Sequence, residues 1–218
     1  MVYYQEIIMA ENIYAILLAA GMSARFGSDN KLLASFRGKP LAQHTIDLVC
    51  GPCRELFDKI FLIYSDERVA ALAKAPGAVF IRNPAPEKGQ GESVRLGTEA
   101  ALATDNDFLF FFPCDQPFLD VDTVRRICAS RRKGCIVEPY CANVPGSSAP
   151  PGGSLGLPGG SPSLFSGVYR GELSSLSEGE APRVIKARHA ENLIRVTVAD
   201  PLILTDIDTR EMLESLNL

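Results

Sequence analysis

The chain has no tryptophan and only two histidines in 218 residues. A metal centre built on imidazoles therefore has almost nothing to draw on. Positive charge is not in surplus either: the formal net charge is −4, which leaves no basic face for nucleic acid. No apolar run approaches the roughly 20 residues a membrane helix needs, so no membrane contact is expected. Residues 1–12, MVYYQEIIMAEN, lack a basic segment followed by a long apolar core. No secretory leader is expected, and the sequence reads as cytoplasmic. Zinc-type cysteine spacing is also missing. Cys50-Gly51-Pro52-Cys53 has the spelling of a thioredoxin-type redox motif, but Cys135 and Cys141 do not supply a second pair. A redox C-x-x-C follows a strand and opens a helix. Here it follows a predicted helix, and Gly51-Pro52 reads as that helix's stop signal. Buried thiols are the expectation.

What is present is a hydrophobic fraction of 46%, enough for one full core. The expected organisation is a single domain over 1–218. It carries an N-terminal extension, 1–11, and a Gly/Pro-rich loop, 145–162. Strand patterns fall at 13–18, 59–64, 78–82, 107–112, 135–138, 192–198 and 202–205. Helix patterns fall at 41–49, 66–74, 90–103, 121–130, 164–176, 182–189 and 208–216, with Asp66 as an N-cap and Pro40 at a first turn. A short extended piece at 32–36 precedes a turn at Arg37-Gly38. The alternation predicts an α/β, Rossmann-like fold, a mostly parallel sheet with helices on both faces. Ligands in such sheets bind beyond the carboxyl ends of the strands.

The organising stretch is 17–31, LLAAGMSARFGSDNK. An apolar strand runs into small residues, Ala19-Ala20-Gly21, where backbone can approach a ligand closely. Main-chain N–H groups in such a turn can form an anion site. Arg25 and Lys31 add a planar fork and a mobile point charge. The spacing is neither a Walker P-loop nor G-x-G-x-x-G, and an ordinary βα loop with surface charges gives the same pattern. Two acidic segments also follow strands. Asp115 lies in Pro113-Cys114-Asp115-Gln116-Pro117, and Asp208 in Asp206-Ile207-Asp208-Thr209. Each suits a helix cap or turn and equally a Mg²⁺ ion, which takes one or two carboxylates plus substrate phosphates. Gly89 and Ser93 open a helix whose free N–H groups can hold a polar ligand edge or simply be capped.

The run Leu18-Ala19-Ala20-Gly21, then Ser23, Arg25, Phe26, Gly27 and Lys31, resembles the signature of nucleotidyltransferases that act on sugars, isoprenoid precursors and the molybdenum cofactor. Within them the chain is most similar to the molybdenum cofactor cytidylyltransferases, over nearly its whole length. The resemblance implies transfer of CMP from CTP to molybdopterin, with Mg²⁺ on Asp115 and on Asp206 or Asp208, of which Asp208 is favoured. It implies catalytic roles for Arg25, Lys31 and Asp115. Nucleotide contacts would come from Leu18, Ala19, Ala20, Gly21, Arg25, Lys31, Asn83, Gly89 and Ser93, and acceptor contacts from Gly160, Ser161 and Pro162. The guanylyltransferase branch more often carries Leu-Ala-Gly-Gly at the first loop, which leaves GTP as the alternative.

Three positions depart from the pattern. Cys114 stands where Gly is usual. Ser161 stands where His is usual. Gly179-Glu180-Ala181-Pro182-Arg183 stands where G-D-x-G-A-R is usual. The last two lie in the acceptor half, so nucleotide binding is expected to be intact. They also keep open a non-catalytic factor that delivers molybdopterin to a molybdenum hydroxylase apoenzyme. A nicotinamide dehydrogenase is disfavoured, because no strand is followed by G-x-G-x-x-G. Eleven of the eighteen residues in 145–162 are Gly or Pro, and the loop is expected to act as a flap over the acceptor.

Overall fold

The computed structural model describes residues 11–22, 26, 29–141 and 160–217. Arg25 and nearly all of the Gly/Pro-rich stretch, with the flap role assigned to it, lie outside the described residues.

Among the described residues nine strands appear in chain order: β1 Ile13–Ala19, β2 Ser35–Phe36, β3 Lys39–Pro40, β4 Lys59–Tyr64, β5 Val79–Arg82, β6 Phe108–Pro113, β7 Ile136–Tyr140, β8 Ser163–Ser166 and β9 Leu193–Thr197. The helices are α1 Leu41–Cys50, α2 Glu67–Ala70, α3 Gln90–Ala101, α4 Val121–Ala129, α5 Arg170–Ser174, α6 Arg183–Arg188 and α7 Arg210–Leu216. One seven-stranded sheet has the order β5-β4-β1-β6-β8-β7-β9. All its pairings are parallel except those of β8, which runs antiparallel to both β6 and β7.

The central strands are apolar on both faces because both faces are covered. In β6, Phe108, Phe110 and Phe112 pack with Ala42, Ile46, Val124 and Ile127 of α1 and α4. Leu109 and Phe111 point the other way, toward Val94, Leu173 and Ile185 of α3, α5 and α6. In β1, Ala15 and Leu17 join the first cluster and Ile16 and Leu18 the second. The expected three-layer α/β arrangement is therefore present.

Several local expectations are corrected. Residues 164–176 were expected as one helix; they form β8, a turn and the short α5. The reason is a period of two: Leu164 enters the first cluster and Phe165 the second, so both faces of this segment are buried as in a strand. Residues 202–205 are not a strand. Pro201 opens a 3₁₀ turn, Pro201–Leu204, whose first N–H groups are met by the Asp200 side chain accepting from Leu202 N. Asp66 caps its helix as expected, but the helix ends at Ala70. The piece at 32–36 divides into a 3₁₀ turn, Lys31–Leu33, and β2, which pairs with β3 across Arg37 and Gly38, both at positive φ.

Candidate active site

Two backbone hydrogen bonds and one side-chain cap assemble the site at the carboxyl ends of β1 and β6. Cys114 N donates to Leu18 O at 3.2 Å, holding the residue before Asp115 against the end of β1. Ile207 N donates to Asp115 O at 3.0 Å and brings the second acidic segment alongside. Ile207 is fully buried with Phe26, Phe36, Leu41 and Leu213, so the flanking Asp206 and Asp208 are fixed by core packing. The Asn30 side chain caps the turn that carries Lys31, accepting from Leu32 N at 3.0 Å.

The result is a cation clamped between two acids. Lys31 Nζ donates to Asp115 Oδ2 at 2.8 Å and to Asp208 Oδ1 at 2.7 Å. Burial works against the Lys31 ammonium, but the charges and hydrogen bonds of Asp115 and Asp208 outweigh it and raise its pKa. Asp206 is the third carboxyl. Burial, then the nearby charge of Asp115, pushes its pKa up to about 6, and Gln116 Nε2 donates to its Oδ1 at 2.7 Å. Asp115 Oδ1 is buried with no hydrogen-bond partner among the described residues. An orphaned carboxylate oxygen beside a second carboxylate suits a divalent cation. Among the described residues no cluster of three or more His, Cys, Asp or Glu could hold a metal alone, so substrate oxygens would have to complete the shell.

Beside this triad lies a cavity of about 330 Å³ lined by Leu18, Ala20, Gly21, Met22, Lys31, Gly89, Gln90, Ser93, Asp115 and Asp208, among others. A Cβ at Gly21 would meet no atom of the described residues within 4 Å, so packing against them does not demand a glycine there. Gly89, at φ +91, does need to be glycine for its backbone. Ala19 is turned into the core instead. Asn83 is buried behind the wall. Its Nδ2 donates to Ser93 Oγ at 3.0 Å and its Oδ1 accepts from Ala85 N at 2.9 Å. That leaves the Ser93 hydroxyl as the donor this pair can direct elsewhere.

A second cavity of about 240 Å³ shares Leu18, Gln90 and Pro113 with the first and adds Ser161, Ser163, Arg183, Lys186 and Asp206. Lys186 is nearly buried, and its Nζ donates to Glu138 Oε2 at 2.9 Å, Ser163 Oγ at 3.2 Å and Gly160 O at 3.3 Å. Of the three residues assigned to the acceptor, Ser161 lines this cavity. Gly160 is explained by packing, since a Cβ there would lie 2.6 Å from Pro139 O. Pro162 is buried. Sequence reasoning did not single out Lys186, Glu138 or Gln90. A lysine at the buried edge of a six-residue helix gives no periodic signal.

The thiols behave as expected. All six cysteines are free, and Cys53, Cys114, Cys128 and Cys141 are buried. Burial pushes Cys50 and Cys53 up to about 11 and Cys128 up to about 12, so none of these three is a thiolate at neutral pH.

An α/β sheet thus sets paired carboxylates and a lysine at a cavity lined in part by Gly21 and Gly89. The chain belongs to the MobA-like NTP transferase domain family, which it matches over residues 15–193. It is similar to the molybdenum cofactor guanylyltransferase of Shewanella baltica, with 29% identity over 133 residues, 56% of this chain and 58% of that protein. The chain thus spans under two thirds of the length of such relatives. It is also similar to nicotine blue oxidoreductase of Paenarthrobacter nicotinovorans, with 28% identity over 203 residues, 92% of this chain and 94% of that one. The crystal structure of Rv0371c from Mycobacterium tuberculosis shares the fold, with TM-score 0.70, 24% identity, and coverage of 96% and 99% of the two chains. Of these relatives, the guanylyltransferase is the one whose name bears on the choice between CTP and GTP.

Proposed function

We propose that this chain transfers a nucleoside monophosphate from an NTP to a phosphorylated acceptor and releases pyrophosphate. The observation that carries the reading is the placement of Lys31, Asp115 and Asp208 at a cavity that begins at the Gly21 turn. The triphosphate lies along the turn after β1, and Lys31 neutralises the charge that develops on it. Asp115 and Asp208 would hold a divalent cation such as Mg²⁺, which when bound would polarise the phosphates. The first turn of α3 and the Ser93 hydroxyl meet the base or ribose. The acceptor occupies the second cavity, between Ser161 and Arg183, and its phosphate oxygen attacks the α-phosphorus across the shared wall. Catalysis of this kind is positioning and charge stabilisation, with no side-chain nucleophile.

The guanylyltransferase relatives support GTP as donor and molybdopterin as acceptor, with CTP as the competing donor. The test is pyrophosphate release with each of four NTPs against molybdopterin and simple phosphorylated acceptors. GTP-dependent release requiring molybdopterin is expected. Release only with CTP restores the cytidylyltransferase reading, and no release with any pair overturns nucleotidyl transfer. One observation favours a second reading: the oxidoreductase relative matches nearly the whole chain. Oxidoreductase activity toward nicotine blue, undiminished in Asp115→Asn, would select it.

A further inference from the structure

We propose that Lys31 is an internal counter-ion that closes the divalent-cation site, so that the cation enters only together with the nucleotide that draws Lys31 away. The inference rests on the reading of Asp115 and Asp208 as the metal-holding pair and goes beyond it, to the order in which the site fills.

The argument begins with charge. Lys31, Asp115 and Asp208 by themselves carry −1, with Asp206 beside them. Exchanging the ammonium for a divalent cation brings the pair to neutrality and frees a positive charge at the cavity wall. One oxygen of each carboxylate, Asp115 Oδ2 and Asp208 Oδ1, is engaged by one Nζ at hydrogen-bond distance. A divalent cation seeking those oxygens meets a like charge already there. Nucleotide-free protein therefore repels the ion for which its carboxylates are otherwise suited.

The second observation is independent of the first. Asp115 Oδ1, buried and without a hydrogen-bond partner among the described residues, is a solvation cost that the lysine does not relieve. Leaving an acceptor oxygen so placed is unfavourable, and a cation drawing on both oxygens of Asp115 would relieve it. The lysine thus satisfies the site incompletely, which keeps it displaceable. Its chain is flexible and its head compact, and it already lines the cavity beside Gly21. A triphosphate arriving along that turn offers the ammonium new anionic partners at the moment the cation needs the carboxylates. Metal and nucleotide are then linked, each raising the affinity for the other by the same factor.

The experiment reads metal binding without turnover, so its failure is distinct from failure of the transfer reaction. Mn²⁺ binding to nucleotide-free protein is followed by electron paramagnetic resonance for the native chain, Lys31→Met, Lys31→Gln and the double variant Lys31→Met/Asp115→Asn. Circular dichroism checks that each is folded. The native chain should bind Mn²⁺ weakly, and Lys31→Met or Lys31→Gln should bind at least tenfold more tightly. The double variant should lose that gain. Should one lysine variant fail to fold, the other decides. Mn²⁺ affinity in the folded variants equal to or weaker than native overturns the proposal. So does a gain that survives Asp115→Asn, since the ion would then sit elsewhere.

Discussion

The buried pair Lys186–Glu138 offers a sharp energetic test of how the second cavity is built. Glu138 is 1% exposed and the Lys186 side chain 11%, with 2.9 Å between Nζ and Oε2. In Lys186→Met the carboxylate stays buried and keeps only Arg195, whose Nε is 3.5 Å from Oε1 and whose side chain is 37% exposed. Breaking a buried pair by removing one partner costs about 3–5 kcal/mol. The residual support from Arg195 places this case at the low end, about 3 kcal/mol. For a chain of this size that lowers Tm by roughly 6–12 °C. Gly160 O and Ser163 Oγ are not orphaned by the change, because Ser163 Oγ also donates to Gly160 O at 3.1 Å. The loss is therefore assignable to the uncompensated acid. Lys186→Met/Glu138→Met removes both charges and should recover most of it. Urea denaturation of the native chain, both single variants and the double closes the cycle. A cost under about 1 kcal/mol for Lys186→Met, or a double variant as unstable as the sum of the singles, would refute the reasoning.

Three further outcomes are expected. Asp115→Asn and Lys31→Ala should each lower pyrophosphate release by about 100-fold or more while leaving the far-UV spectrum unchanged; near-native rates in both would remove the triad from the chemistry. Gly21→Val should change stability by no more than about 0.5 kcal/mol, since its Cβ meets no atom of the described residues within 4 Å, yet weaken triphosphate binding at least tenfold in a calorimetric titration. Burial raises Cys50 and Cys53 from 9.0 to about 11 and Cys128 to about 12. A raised folded-state pKa favours the folded thiol, so this stability is full below about pH 9 and falls as pH climbs through 11 to 12; denaturation midpoints across that range read it, and thiol titration at pH 8 should be slow until the chain unfolds.

The layered architecture was legible because β1, β4 and β6 are continuous apolar runs separated by amphipathic helices, a pattern that only a sheet covered on both faces explains. The glycine turn and Asp115 could be singled out because each follows a strand, where ligands gather in such sheets; Asp208 was reached by reading residues 202–205 as a strand, which they are not. Residues 164–176 were misread because Ser163–Ser166 is a four-residue strand, too short for alternation to compete with the helical pattern behind it. Lys186 and Glu138 were illegible for another reason. Their burial depends on a contact 48 residues apart in sequence, and neither residue type announces it. Ala19 and Gly160, by contrast, belong to a strand end and a tight packing point, and their small size serves the core rather than a ligand.

The departure from the family pattern at 179–183 takes on a different meaning in three dimensions. In sequence that segment belongs to the acceptor half, which left nucleotide binding apparently untouched. In the structure Gly91 N, in the first turn of α3, donates to Glu180 O at 3.1 Å, and Gly179 N donates to Lys88 O at 3.0 Å. A Cβ on Gly91 would lie 2.8 Å from Glu180 O, so the contact admits no side chain. The segment that carries Ala181, Pro182 and Arg183 into the second cavity is thus stitched to the helix start that supplies Gly89, Gln90 and Ser93 to the first. Gln90 borders both. Any change of backbone path at 179–183 shifts the entrance of α3 with it, because two hydrogen bonds and a glycine-only approach couple them. Under the proposed function, donor and acceptor selection share one joined surface, and the substituted segment then bears on the choice of nucleotide as well as on the choice of acceptor.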